Sequence, residues 1–197
     1  IGPGGGGSTF IPTYAYHDVN QIFIKCDMTG NYLTFDGGKS FDIKNVVGDA
    51  QSFAFDPNDS LTIYMGGAYL YQSKDGGTNW KALFPKASEI KSTKYTGDHA
   101  EYLIEPTDTS KWSLFKPDIK SIKVDPLDTK AIYFAKGSFF CYSFDGGENW
   151  TSQSVDAGIE SIYTNSHQLK DLVYIFTPES LHIFNKRDRT FSKKPYP

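Results

Sequence analysis

Two acidic residues lie nine positions apart in the stretch "KCDMTGNYLTFDGGKSF" at 25–41: Asp27 and Asp36. A carboxylate can serve as acid, base or nucleophile, or it can cap a turn by accepting backbone N–H groups. Asp36 belongs to a pattern that recurs as "TFDGGKSF", "SKDGGTNW" and "SFDGGENW": a hydroxyl residue, any residue, Asp-Gly-Gly, two more residues and an aromatic. The physical sense of that pattern is a hairpin, with the aspartate capping the turn, the glycines supplying positive φ and the aromatic packing between strands. Asp36, Asp75 and Asp145 are therefore read as structural. Asp27 lies outside the pattern, in the turn after the second strand of its unit, and is the catalytic candidate, although it too can be a turn cap.

The stretch 86–117 interrupts the repeats and carries Asp98, His99, Glu101, Tyr102 and Trp112. Histidine exchanges protons near neutral pH and aromatic rings stack on sugar faces, so His99 and Trp112 are expected to bind substrate from this insertion. His17, His167 and His182 fall in turns or at a strand start and read as structural, with a catalytic role for His17 as the alternative. The run Gly4–Gly7 is followed neither by a helix nor by Gly-Lys-Ser/Thr, which argues against phosphate binding. Gly5 and Gly6 are expected instead to let the backbone approach a ligand closely. Cys26 and Cys141 are read as free and half-buried. No metal or cofactor set is expected.

The elements that must position these residues come from the repeat. The three aspartates of the pattern are 39 and 70 residues apart, one repeat and then one repeat plus an insertion. A strand, a polar turn and a second strand precede each copy, in "YHDVNQIFI", "FDPNDSLTIYM" and "VDPLDTKAIYF". A fourth copy, at 162–191, keeps the strands but lacks Asp-Gly-Gly. A period near 40 built from short β-branched and aromatic strands predicts an all-β propeller of four-stranded antiparallel blades. The blades are placed at about 8–45, 46–85, 118–155 and 156–195, with 86–117 inserted and Phe41, Trp80 and Trp150 in the core.

Composition narrows the function. A formal net charge of −3, two arginines (Arg187 and Arg189) and no long basic run leave no phosphate-binding footprint, so nucleic acid is not an expected partner. No apolar run reaches a membrane-spanning length, and no membrane partner is expected. Sequons at Asn58 and Asn149 are compatible with export.

The Ser/Thr-x-Asp-Gly-Gly-x-x-Trp pattern resembles the Asp-box, or BNR repeat, of sialidases, xyloglucan-specific hydrolases and sortilin-type receptors. The opening, "IGPGGGGSTFIPTYAYHDVNQIFIKCDMTGNY", is similar to the start of the xyloglucan-specific hydrolases, whose Thr-Asp-Val/Ile-Gly-Gly-Ala-Tyr motif carries one of two catalytic aspartates. The resemblance maps that aspartate onto Asp27 and the following tyrosine onto Tyr32, while Cys26 and Met28-Thr29 depart from the motif and no second copy occurs. It implies a glycoside hydrolase, or part of one, acting on a plant or algal polysaccharide in an axial cleft, secreted or periplasmic. A non-catalytic Asp-box propeller that binds a protein or glycan is the alternative. Two arginines in one turn cannot form the three-arginine clamp of a sialidase. Four blades are the small extreme for this class, so the chain is expected to be an incomplete part of a six- to eight-bladed propeller, completed by further blades or a partner chain.

Overall fold

A computed structural model describes residues 8–27, 30–96, 101–164 and 169–196. The first blade is β1 (Thr9–Tyr14), β2 (Ile22–Cys26), β3 (Gly30–Thr34) and β4 (Asp42–Ile43). The second is β5 (Ser52–Phe55), β6 (Ile63–Gly66), β7 (Leu70–Ser73) and β8 (Lys81–Phe84). The inserted segment folds as a hairpin, β9 (Ile90–Thr96) with β10 (Glu101–Pro106), and a one-turn helix, α1 (Trp112–Phe115). Blade three follows as β11 (Ile119–Val124), β12 (Ile132–Lys136), β13 (Phe139–Ser143) and β14 (Thr151–Ser154). Blade four is β15 (Ser161–Thr164), β16 (Leu172–Phe176), β17 (Ser180–Asn185) and β18 (Thr190–Pro195). Each blade is a four-stranded antiparallel meander in chain order, and the first strands of successive blades lie side by side. These are consecutive blades of a β-propeller.

Alternation along the middle strands builds the core. Ile63 and Met65 of β6 pack toward blade one with Phe23, Leu33, Phe53 and Phe55, whereas Tyr64 between them turns toward blade three. On β12, Ile132 and Phe134 pack toward blade two, and Tyr133 and Ala135 join Phe140, Val173 and Phe184 of the next interface. The apolar clusters of the described residues thus sit between successive blades, and each blade is stable only against its neighbours. Cys26 and Cys141 are buried, not half-buried, because both occupy such central strands.

The Asp-Gly-Gly turns close β3–β4, β7–β8 and β13–β14 with one geometry. Asp75 Oδ1 accepts from the backbone N–H of Thr78 and Asn79 at 3.0 and 2.8 Å and from Ser73 Oγ at 2.8 Å. Asp36 and Asp145 make the matching bonds within their own turns. Both glycines of each turn have positive φ. Trp80 and Trp150 are half-buried against the inter-blade clusters, Trp150 edge-on to Phe134 at 4.8 Å, whereas Phe41 is half-buried beside Gly38 of its own turn and joins none of the clusters. Blade four lacks the motif, and Arg189 supplies the positive φ that a glycine supplies elsewhere.

Candidate functional site

In an antiparallel meander, the first and third turns of a blade lie at one end, and the second turn and the connection to the next blade lie at the other. The Asp-Gly-Gly turns occupy the first end. Asp27, the turns at 67–69 and 137–138, and the connections 44–51, 85–96 with 101–118, and 155–160 share the second.

At that second end a cleft of about 230 Å³ opens beneath the inserted hairpin, lined by Asp49, Gln51, Ala68, Tyr102, Lys116 and Asp118 among others. Asp49 and Asp118 are repeat-equivalent: each stands six residues before the residue that precedes Asp-Pro, Phe55 and Val124. Each enters the first strand of its blade, and two glycines fix where. A Cβ on Gly67 would lie 2.1 Å from the Asp49 carbonyl oxygen, and a Cβ on Gly137 would lie 2.7 Å from Pro117 Cγ, so bare backbone is needed at both contacts. Ser52 Oγ donates to the Ile119 carbonyl at 2.7 Å, tying the two strand entries together.

The two carboxyl groups have opposite surroundings. Asp49 Oδ2 lies 2.5 Å from the Lys25 ammonium and accepts from Gln51 Nε2 at 2.9 Å. Asp118 is half-buried, and among the described residues no donor reaches its carboxyl group. Burial is the largest influence on Asp118 and pushes its pKa up; Lys136 opposes this, Asp49 reinforces it, and Lys120 and Lys25 oppose it weakly. Lys136 is wholly buried, donates to the Ala68 carbonyl at 3.0 Å, and has its own pKa pulled down to about 8 by burial. Tyr102 of β10 stands over the cleft, edge-on to Tyr95 at 5.5 Å, and the hairpin is held down by Tyr69 Oη to Thr93 Oγ1 at 3.0 Å. A carboxyl group biased toward its neutral form beside one held by a cation is an arrangement suited to general acid–base chemistry.

Asp27 lies at the same end but outside the lining of this cleft. It is exposed and locked to the chain start: Ser8 N–H donates to its Oδ1 at 2.8 Å and its own N–H donates to the Ser8 carbonyl at 3.2 Å. Tyr32 is buried within β3, opposite Ile24 and Ile43, where its ring packs inside the sheet. Trp112 is 39% exposed on α1 and is not part of the cleft wall. Gly5, Gly6, His99, Asp98 and His167 lie outside the described residues. His182 is sequestered by Asp156 Oδ1 at 2.6 Å and Ser180 Oγ at 3.1 Å, and His17 contacts Gln21 Oε1 at 3.0 Å at the opposite end. The sequence reading missed Asp49 and Asp118. The signal was present, since aligning the repeats on Asp-Pro superposes the two aspartates.

No protein-family model matches the chain, and no curated protein matches it. Among solved structures it is similar to an ancestral GH74 enzyme at 17% identity and a TM-score of 0.73, covering 99% of this chain and 25% of that one. It is also similar to a GH74 enzyme from Niastella koreensis (15%, TM-score 0.68, 96% of this chain and 31% of that). A GH74 xyloglucanase from Xanthomonas campestris matches at 14% identity and a TM-score of 0.62, covering 100% of this chain and 39% of that one. At these identities the likeness is one of fold. The chain spans between a quarter and two fifths of the length of these proteins.

Proposed function

We propose that this chain is a propeller portion of a carbohydrate-active enzyme, a glycoside hydrolase acting on a xyloglucan-like plant or algal polysaccharide outside the cytoplasm. Its Ser/Thr-x-Asp-Gly-Gly turns are Asp-boxes that hold the blades, and its working surface is the opposite end. The observation that carries the reading is the pair of repeat-equivalent carboxyls in one cleft, Asp118 without a donor among the described residues and Asp49 held by Lys25. Glycoside hydrolysis needs such a pair: Asp118 donates the proton to the leaving oxygen and Asp49 acts as the charged partner. The fold likeness to GH74 enzymes supports the substrate class. Asp27, on the same end, is the third carboxylate to test, as the residue the family resemblance singles out.

Release of reducing ends from a panel of polysaccharides, by the full chain and by Asp27→Asn, Asp49→Asn and Asp118→Asn, tests the proposal. The expected result is turnover of a β-glucan backbone with a loss of about 10²- to 10⁴-fold in Asp118→Asn. Activity unchanged in both Asp49→Asn and Asp118→Asn but lost in Asp27→Asn would move the site to Asp27.

A further inference from the structure

A larger concavity, about 500 Å³, lies at the Asp-Gly-Gly end, between the third turns of blades two and three. Its origin is visible in the repeats. The residues flanking the turn hydroxyl are Leu33 and Phe35 in blade one and Tyr142 and Phe144 in blade three, but Gln72 and Lys74 in blade two. Two apolar side chains that cover this position elsewhere are thus replaced by polar ones, and both line the groove.

Gln72 is only 8% exposed. Its Nε2 donates to the buried Tyr64 hydroxyl at 2.8 Å, which fixes the amide plane and leaves Oε1 without a donor among the described residues. This oxygen keeps contact with the solvent of the groove, among whose lining residues Gln72 stands, and is open to a donor from a ligand. Beside it stands the Trp80 ring, fixed because its Nε1–H donates to the Gly77 carbonyl at 3.1 Å. The far wall is Asp145 and Gly146, and the Lys81–Glu148 ion pair, 3.2 Å, joins the blades at the rim. A preset aromatic face next to a preset hydrogen-bond acceptor, in a groove the size of one or two sugar rings, matches what a pyranose offers: an apolar C–H face and equatorial hydroxyls.

We infer that this groove is a second carbohydrate-binding site, remote from the cleft at the other end, in which Trp80 stacks on a sugar ring and Gln72 Oε1 accepts a hydroxyl. It does not depend on the catalytic reading and would hold if the chain hydrolysed nothing.

Titration of the isotopically labelled chain with cellotetraose and with a xyloglucan heptasaccharide, followed through the Trp80 indole N–H and Gln72 side-chain amide resonances, reads the site directly. The expected result is saturable movement of both, with affinity weakened about tenfold in Gln72→Leu, which restores the residue type used in blade one, and in Trp80→Ala. Unmoved resonances with both sugars, or equal affinity in a folded Gln72→Leu chain, would overturn the inference. Loss of hydrolysis in Asp118→Asn with binding here intact would separate this site from the cleft.

Discussion

In the proposed function Asp118 is the proton donor. A carboxyl group whose pKa is raised on folding contributes stability below its unfolded value near 3.8, and that contribution fades as pH rises through the folded value. The wild type is therefore expected to lose stability relative to Asp118→Asn over the window above pH 3.8, so that at neutral pH the asparagine variant is as stable as the wild type or more so while being inactive. Chemical denaturation of both chains between pH 3.5 and 7.5 checks this; a variant that is less stable throughout would mark Asp118 as a structural residue. Lys136 pulls in the opposite direction, so Lys136→Met should move the Asp118 titration, followed by carboxyl NMR, to still higher pH.

At the scale of elements, the strands and their turns were legible because each turn repeats its chemistry: aspartate to accept N–H groups, two glycines for positive φ, an aromatic to seal the hairpin. The insertion was legible as an interruption but not as a hairpin, because its exposed β9 lacks the alternation that marks a half-buried strand. The cleft was less legible still. Asp49 and Asp118 carry no motif of their own, and only the glycines across from them and the register of the blades bring the two strand entries together. One ion pair shows how blades are tied: Lys186, after β17, reaches Asp125 Oδ2 at 2.5 Å in the blade-three turn, where Asp125 has 1% side-chain exposure. Lys186→Met leaves that buried carboxylate without its cation and is expected to cost about 3–5 kcal/mol in urea unfolding. The Asp125→Asn, Lys186→Met double variant should recover part of the loss; a single variant within experimental error of wild type would show the pair to be solvated.

Across the whole molecule, two ends of one propeller region divide the labour. Turns rich in local hydrogen bonds form the end that holds the blades, and connections and second turns form the end that gathers Asp27, Asp49 and Asp118. The resemblance pointed to Asp27 in blade one, whereas Asp49 and Asp118 lead into blades two and three at the same end, a pairing invisible to a motif confined to the first repeat. The most direct test of the proposed carbohydrate cleft is amide chemical-shift mapping of the Asp118→Asn chain, which on the proposed function is expected to bind without turning over, during titration with a xyloglucan heptasaccharide. Saturable shifts are expected to concentrate at the amides of 48–51, 67–69, 102–103, Lys116 and Asp118, with those residues moving together. Amides of the cleft that stay unmoved at saturating sugar, whatever occurs in the Trp80 groove, would contradict the proposed function.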